Sequence, residues 1–457
     1  MESKARRIVE DLLDANSFVE FGEAITARNT DFNEREKKVA SDGVITGHGL
    51  IDDRLVFVYS QDSTVMGGTI GEMHAKKITS LYEMATKVGA PIIGFIDSKG
   101  VRLYESMDAI EAIGSIISAA SKASGTIQQV LAVSGNCGGA LSALAAVNDY
   151  VVMADDAKLF INSPDTIDGN CIDKLDTSSA EFKYNSGNVD VVCRYDEMPI
   201  CIRNFIDIVP GNNFESGYDD VSEDDFNRGV DFNGTDDIEA LIREIADDGI
   251  FVETKPGIDS AVTGIIRLAG HSVGVVANAE SDGVSRLDCN GVYKMTDFIT
   301  YCDAFGIPVL SITNVDGYVT DTNTEKYMAD ALSKLALAFS SANVSKINLI
   351  VKNAMGSGYI FMNSKALGAD MVYAYPSSNM SLMDEKSAAK IISAGNDDVS
   401  EVASIYKKEH SGIDNAARRG YVDRIINPVD TRKYLIDALE ILDSKNNYSD
   451  YKKHSAK

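Results

Sequence analysis

Residues 89–97 read Gly-Ala-Pro-Ile-Ile-Gly-Phe-Ile-Asp, and residues 306–314 read Gly-Ile-Pro-Val-Leu-Ser-Ile-Thr-Asn. In each stretch a glycine and a proline end a helical segment. A short apolar run without alternation follows, as in a strand buried in a parallel sheet. The separation between Pro91 and Pro308, which we call the repeat offset, spans a whole domain. The sequence therefore predicts that one domain occurs twice, which gives the chain two related pockets.

The segments around these strands match as well. Residues 42–103 and residues 261–319 each contain a hydrophobic strand, a helical stretch and then the apolar strand, and 130–140 corresponds in the same way to 349–359. A strand, a glycine turn and a helix that recur in this order predict an α/β fold with crossover connections.

Length and composition limit the possible classes of protein. The 457 residues allow each half its own core, and we place the two domains at 1–235 and 236–457. The formal net charge of −26 argues against nucleic acid or an anionic membrane surface as a partner. The N-terminus lacks targeting character and no apolar run is long enough to span a membrane, so we expect a cytoplasmic protein. The spacing of the six cysteines and five histidines matches no metal site. We expect the cysteines to be reduced thiols.

Glycine loops after the predicted strands are the first candidate sites. We predict a strand over Val130–Val133 and then a helix over Cys137–Ala146, whose first turn contains Gly138 and Gly139. Glycines at such a junction let a ligand approach the backbone, and the free N–H groups there can bind an oxyanion. Taken alone, a Gly-Gly turn is more often a packing feature than a binding site.

The loops recur as a pair, which favours the binding interpretation. Gly100 and Val101 follow the preceding strand of the first half. The second half has counterparts at Gly317–Tyr318 and Gly356–Ser357, and the alignment places Gly138 opposite Gly356, one position beyond the repeat offset. Turns kept only for packing need not recur together, so the pattern indicates an enzyme with two oxyanion sites.

Side chains offer no alternative catalytic group. No Ser-His-Asp order or Cys-His pair stands out. His74 is more often a capping or core imidazole in such a position, and Lys77 lies either near an anionic ligand or on a solvated helix face. Backbone donors that stabilise an enolate fit this sequence best.

Several further motifs carry a resemblance to a known family. They are Asp42-Gly-Val-Ile-Thr-Gly-His-Gly49, Ser60-Gln-Asp62, Gly71-Glu-Met-His-Ala-Lys-Lys-Ile78, Ser186-Gly-Asn-Val-Asp190, Cys302-Asp-Ala-Phe-Gly-Ile-Pro308 and Gly368-Ala-Asp370. From about residue 4 to residue 444 the chain resembles the carboxyltransferase component of biotin-dependent acyl-CoA carboxylases and decarboxylases. The most similar types are propionyl-CoA carboxylase beta and glutaconyl- or methylmalonyl-CoA decarboxylase alpha subunits.

The resemblance implies two tandem crotonase-type (ClpP/crotonase) ββα spiral domains, with the acyl-CoA on the N-terminal side and biotin on the C-terminal side. It implies a homodimer or a trimer of dimers whose active site lies between the N-terminal half of one subunit and the C-terminal half of another. The substrate is a coenzyme A thioester. Biotin arrives on a separate carrier protein, and a biotin carboxylase or a membrane decarboxylase subunit is the further partner that sets the direction.

The resemblance also implies roles for individual residues. The thioester oxyanion is assigned to Gly138, Gly139, Gly100 and Val101, and the ureido oxygen of carboxybiotin to Gly317, Tyr318, Gly356 and Ser357. Ligand-binding side chains are assigned to Lys99, Arg102, His74, Lys77 and Ile360.

The chain departs from the family pattern at Lys99 and Val101, where the family has glycine and alanine, and at Asp316, Ser357 and Ile360. Lys99 adds a cation that can meet a carboxylate on the substrate. The departures keep two alternatives open, a catalytically impaired scaffold paralogue and a CoA-thioester enzyme of crotonase type that does not use biotin.

Overall fold

The computed structural model describes residues 3–28, 41–170, 174–217, 222, 224–232, 237–280, 284–393, 398–448, 452 and 454. The chain forms two compact units. Unit 1 comprises Met1–Glu215, Thr254–Gly257 and Lys453–Lys457, and unit 2 comprises Ser216–Glu253 and Ile258–Lys452. The domain boundary that we placed between residues 235 and 236 lies outside the described residues.

The first half of the chain alternates strands and helices. Its elements are α1 Lys4–Leu12, β1 Val19–Phe21, β2 Val44–Ile51, β3 Arg54–Gln61, α2 Glu72–Val88, β4 Ile92–Ile96, α3 Met107–Ala123, β5 Gln129–Val133, β6 Asn136–Gly138, α4 Leu144–Val147, β7 Tyr150–Ala154, β8 Lys158–Phe160, α5 Ala180–Asn185, β9 Val191–Cys193 and α6 Met198–Ile208. Short 3₁₀ helices cover Met66–Gly68, Leu103–Glu105, Gly139–Ala143, Pro164–Thr166 and Tyr195–Glu197.

The second half repeats this order and adds helices near its end. Its elements are α7 Ile238–Ile245, β10 Phe251–Thr254, β11 Ala261–Leu268, β12 His271–Asn278, β13 Arg286–Leu287, α8 Cys289–Ala304, β14 Val309–Val315, β15 Gly317–Tyr318, α9 Thr322–Ser341, β16 Lys346–Met355, α10 Gly358–Phe361, β17 Met371–Ala374, β18 Asn379–Ser381, α11 Glu385–Ile392, α12 Val399–His410, α13 Ile413–Arg418, β19 Arg424–Ile425 and α14 Thr431–Leu442. Its 3₁₀ helices are Asp247–Gly249, Lys365–Leu367, Pro428–Asp430 and Asp443–Tyr448.

Each half has the same central sheet. The strand order is β1-β2-β3-β4-β5-β7-β9 in the first and β10-β11-β12-β14-β16-β17-β19 in the second. In both sheets an antiparallel hairpin, β2-β3 or β11-β12, is followed by parallel strands. Parallel strands buried on both faces read as apolar runs, and β4, β5, β7 and β14 are buried at every position. The predicted tandem α/β organisation is confirmed.

The repeat has one constant spacing. The hairpins start at residues 44 and 261, the following helices at 72 and 289, the apolar strands at 92 and 309, and the next strands at 129 and 346. The two members of each pair are separated by the repeat offset that the prolines define. The spacing therefore allows residues in one half to be matched with residues in the other.

One predicted helix is wrong in its first part. Cys137, where we expected the helix to begin, lies in strand β6, which pairs in parallel with β8. A 3₁₀ helix, Gly139–Ala143, and the short helix α4 follow it. Glycine favours neither a helix nor a strand by its own propensity, so the pairing with β8 decides the local structure.

Candidate active site

The loop after β4, residues 97–102, is fastened to the segment after β5. The Oδ1 atom of Asp97 accepts the backbone N–H of Asn136 at 3.2 Å, and the Ser98 N–H donates to the Asn136 carbonyl at 2.8 Å. Carboxyl ends of adjacent parallel strands share one edge of the sheet. These two bonds hold the two predicted loops of the first half side by side at that edge.

Val101 carries a backbone donor that its neighbours leave free. The Ile70 N–H donates to the Gly100 carbonyl, and the Arg102 N–H donates to the Ile70 carbonyl, both at 2.9 Å. Because neighbouring N–H groups of an extended strand point to opposite sides, the Val101 N–H points away from Ile70. It has no backbone acceptor among the described residues. The Gly100 N–H, by contrast, is bound by the Ser98 hydroxyl at 3.0 Å.

The second segment of the first half turns at Gly139. Gly138 lies in β6 against the ring of Phe160, and a methyl group on it would lie 2.7 Å from a ring carbon. Gly139 has a φ of 65°, and a methyl group there would meet nothing within 4 Å. The next N–H belongs to Ala140 and precedes the first hydrogen bond of the 3₁₀ helix, so it has no acceptor within that helix. We name Gly139–Ala140 the first bend.

The second half repeats the fastening between the loops. The Oδ1 atom of Asn314 accepts the N–H of Asn353 at 3.2 Å, the same bond as in the first half, with both partners moved by the repeat offset. The Val319 N–H donates to the Leu287 carbonyl at 2.9 Å, so the Tyr318 N–H points away from that strand. Tyr318 therefore corresponds to Val101.

Gly356–Ser357, which we name the second bend, corresponds to the first. Gly356 has a φ of 57°, and its N–H donates to the Ser381 carbonyl at 2.9 Å. Within the described ranges the Ser357 N–H has no backbone acceptor. A methyl group on Gly317 would meet nothing within 4 Å, so the space beside this loop is open.

The structure corrects the alignment of the bends by one position. The paired strands end at Gly138 and Phe160 in the first half and at Met355 and Ser381 in the second. Gly356 therefore corresponds to Gly139, in agreement with the repeat offset, and the predicted match with Gly138 is wrong. The donor that sequence reasoning missed is the N–H of Ala140, the counterpart of Ser357. The constant spacing of the strands would have revealed it.

The two loops of the second half also touch each other. A methyl group on Gly358 would lie 3.5 Å from the Cα atom of Gly317. Burial raises the pKa of the Tyr318 hydroxyl, and a hydrogen bond with the Ser357 side chain partly offsets this. The structure therefore brings the predicted residues of each half together at one edge of each sheet.

Each bend adjoins a pocket. The first pocket, of about 200 Å³, is lined by Ser142, Ala143, Ala145, Ala146, Leu159, Phe160, Ile161, Lys183, Gly187 and Asn188. The second pocket, of about 560 Å³, is lined by Ala354, Gly356, Tyr359, Met380, Ser381, Leu382, Ile392, Tyr406, His410, Ala416, Arg419 and Tyr421. Ser142 and Tyr359 are separated by the repeat offset, and Phe160 and Ser381 end the matching strands β8 and β18. Each pocket therefore includes one residue at the repeat offset and the last residue of a matching strand.

Arg102 belongs to the interior and not to a ligand-facing surface. Its guanidinium is buried and forms ion pairs with the buried carboxylates of Asp42 and Glu105. It also donates to the Thr69 carbonyl at 2.6 Å, and Glu105 accepts the N–H of Glu72 at the start of α2. The structure thus corrects the predicted ligand-binding role. Arg102 anchors the loop that carries Val101.

Lys77 is likewise a structural residue. Its ammonium group is buried and donates to the Val44 carbonyl at the start of β2, and burial lowers its pKa. Lys294, its counterpart at the repeat offset, donates in the same way to the Ala261 carbonyl at 2.7 Å. An interaction kept at the same place in both halves stabilises the fold, so the predicted contact with a ligand is wrong.

His74 is a core imidazole, the alternative that the sequence favoured over ligand binding. It is completely buried, its Nδ1–H donates to the Asp42 carbonyl at 2.9 Å, and the Gln61 amide donates to Nε2 at 3.1 Å. An Nε2 atom that accepts a hydrogen bond carries no proton, so the ring is neutral. Burial lowers its pKa from 6.5 to about 3.

This histidine predicts acid sensitivity. Because its folded pKa lies below the unfolded value, the protein loses stability as the pH falls below 6.5 toward 3. The loss can reach about 1.4 kcal/mol per pH unit. We expect His74→Gln to narrow the fall in thermal melting temperature between about pH 7 and about pH 5, because glutamine does not titrate. The control is His410→Gln at an exposed position, and an equal fall in all three proteins would contradict the prediction.

Two predicted ligand-binding side chains do face solvent. Lys99 is exposed, and its stem lies on Gly67, where a methyl group would be 3.0 Å from the Lys99 Cδ atom. Ile360 is 41% exposed in α10, directly after the second bend. Both remain candidates for substrate contact.

Comparison with known proteins agrees with this geometry. The carboxyl transferase domain matches residues 3–456. The methylmalonyl-CoA decarboxylase subunit alpha of Veillonella parvula is 34% identical and the match covers 98% of this chain and 92% of the relative. The propionyl-CoA carboxylase beta chain of Roseobacter denitrificans is also 34% identical with the same coverage. Transcarboxylase 12S, solved as a hexamer assembly with hydrolysed methylmalonyl-CoA bound, superposes with a TM-score of 0.92 at 33% identity, over 99% of this chain and 92% of that one.

The chain belongs to the carboxyl transferase family, whose members transfer a carboxyl group between biotin and an acyl-CoA. The resemblance stated from the sequence and the two tandem crotonase-type domains are confirmed. In the described part of the chain, no helix has both the length and the apolar character needed to cross a membrane.

Proposed function

We propose that this chain holds an acyl-CoA at the first bend and carboxylated biotin, carried on a separate protein, at the second. The observation that carries this proposal is a pair of N–H groups in each half that have no backbone acceptor among the described residues. Val101 and Ala140 supply them in unit 1, and Tyr318 and Ser357 supply them in unit 2. Two amides directed at one oxygen form an oxyanion hole, and we expect the two of each half to act in this way.

In unit 1 the amides receive the thioester oxygen. When the α-carbon of the acyl group loses or gains its carboxylate, negative charge moves onto this oxygen. Fixed amide dipoles stabilise that charge without reorganisation, because Arg102 and the Asp97–Asn136 bond hold the two loops in place. Gly139 leaves open space above the bend for the thioester.

The residues of unit 2 fit biotin. Biotin supplies the carboxyl group, and its ureido oxygen is the acceptor that two amides require. The Tyr318 and Ser357 N–H groups offer these donors, and Gly317 leaves the approach open. The second pocket combines apolar side chains with Ser381 and Arg419, as sites for small cofactors do, and its volume lies in their usual range.

The further partners follow from the same proposal. We expect a biotin carboxyl carrier protein, together with a biotin carboxylase or a membrane decarboxylase subunit, and assembly as a homodimer or a trimer of dimers. We expect the protein in the cytoplasm, with any membrane association made through the partner subunit.

Carboxyl exchange tests the proposal. The purified chain, incubated with biotinylated carrier or free biotin and a set of acyl-CoA thioesters, should move labelled carboxyl between biotin and at least one thioester. Binding of the same thioesters, measured by calorimetry, is the accompanying control. Thioester binding without any exchange would favour the enzyme of crotonase type that does not use biotin, and no binding at all would favour the scaffold paralogue.

A further inference from the structure

The first pocket contains a single ionisable side chain. Of its lining residues, Lys183 is the only one that carries a charge, and the walls are mostly alanine, leucine, isoleucine and phenylalanine. The pocket adjoins the first bend closely. The Ser142 hydroxyl donates to the Gly139 carbonyl at 2.7 Å, and the Phe160 ring lies against Gly138.

Lys183 is partly withdrawn from water, and the described residues provide it with no counter-ion. It is half-buried in α5, and burial lowers the pKa of its ammonium group. Its nitrogen lies 5.6 Å from the centre of the Phe182 ring, and no carboxylate pairs with it within the described ranges. Lys158, nearby in the chain, does form an ion pair, with Asp176 at 2.5 Å.

The partial burial of the Lys183 ammonium group is unfavourable, and an anion bound beside it would offset this penalty. A cation loses hydration on burial, and a paired anion or a hydrogen bond compensates for the loss. The chain carries 69 acidic residues against 43 basic ones, so a shortage of carboxylates does not explain why Lys183 has no acidic partner in the described part of the chain. An apolar pocket with one unpaired cation is suited to a ligand that is apolar along its length and anionic at one end.

We propose that Lys183 is the counter-ion for an anionic group of the thioester substrate, seated in the first pocket beside the bend. This rests on the proposed function, because the bend locates the thioester. A carboxylate at the far end of a short acyl chain and a phosphate of coenzyme A share the required chemistry. The pocket of about 200 Å³ accommodates one such end group and a few methylene groups, not a whole coenzyme.

The test compares four thioesters, in which the terminal carboxylate and the phosphate-bearing part of coenzyme A are removed separately. Succinyl-CoA and butyryl-CoA differ in the terminal carboxylate, and their pantetheine analogues lack the phosphates. Binding to the full chain, without biotin, is measured by calorimetry for the wild type and for Lys183→Met, which keeps the length and removes the charge. Lys183→Arg changes the same position but keeps the charge, so it separates the loss of charge from an effect on folding. Lys87→Met, which removes a charge at an exposed helix position, is the matched control.

We expect Lys183→Met to weaken binding of the anionic ligand about tenfold or more, with Lys183→Arg and Lys87→Met close to the wild type. A loss confined to succinyl thioesters identifies the carboxylate, and a loss confined to coenzyme A thioesters identifies a phosphate. Unchanged affinity for all four ligands would overturn the role of Lys183 while leaving the proposed function intact. A wild-type protein that binds none of them would overturn both.

Discussion

Ala140→Pro is expected to slow carboxyl transfer about 10²- to 10³-fold, because proline lacks the N–H that we assign to the thioester oxyanion. Proline is tolerated in the first turn of a helix, and Ala140 is the second residue of the 3₁₀ helix Gly139–Ala143. The fold should therefore survive while the donor is lost. The measurement is kcat for carboxyl exchange between biotin and the best acyl-CoA substrate, together with the dissociation constant of that thioester.

The matched control is Ala140→Ser. Serine keeps the N–H, and we expect exchange within a few-fold of the wild-type rate. A fall in kcat without a comparable fall in thioester affinity is the sign of a donor used in the transition state. If a folded Ala140→Pro protein exchanges carboxyl at the wild-type rate, the Ala140 N–H has no part in the mechanism.

Ser357→Pro is expected to slow carboxyl exchange by a similar factor, about 10²- to 10³-fold, because it removes a backbone donor from the second bend. The backbone at Ser357 has a φ of −72°, within the range that a proline ring imposes, so the change removes one N–H with little added strain there. Thioester affinity should stay unchanged, because unit 1 is intact. The exchange rate and the calorimetric affinity together check this.

Ser357→Ala separates the backbone from the side chain. It removes the hydroxyl that bonds to Tyr318 but retains the N–H, so most of the exchange activity should remain. If Ser357→Pro and the wild type exchange carboxyl at the same rate, the second bend has no part in the reaction.

Repetition made the fold predictable from the sequence. A glycine, a proline and an apolar run recur around Pro91 and Pro308, and strands β4 and β14 begin directly after each proline. The helix expected to end near Val88 does end there, with Gly89 in a left-handed conformation at its C-terminus. Such signals are local, so a single sequence is enough to detect them.

The details of the bends depend on contacts between distant segments. Gly138 belongs to a strand because β8, farther along the chain, pairs with it. Nothing within the Gly138-Gly139-Ala140 stretch encodes that pairing, so the sequence placed the donors one position too early. The side chain of Arg102 presents the same difficulty, because its polarity suggests exposure while its distant partner Asp42 holds it in the interior.

Lys77 and Lys294 bear on how the gene arose. Two halves with different side chains at their bends retain one internal ammonium-to-carbonyl bond at the same place. Two separate origins of a buried lysine at matching positions are a poor explanation, because burying an ammonium group is unfavourable. The simplest history is an ancestral single-module protein that already contained this lysine, followed by fusion of two copies and divergence of their substrates. An isolated half that keeps its own lysine is therefore a reasonable starting point for rebuilding that ancestor.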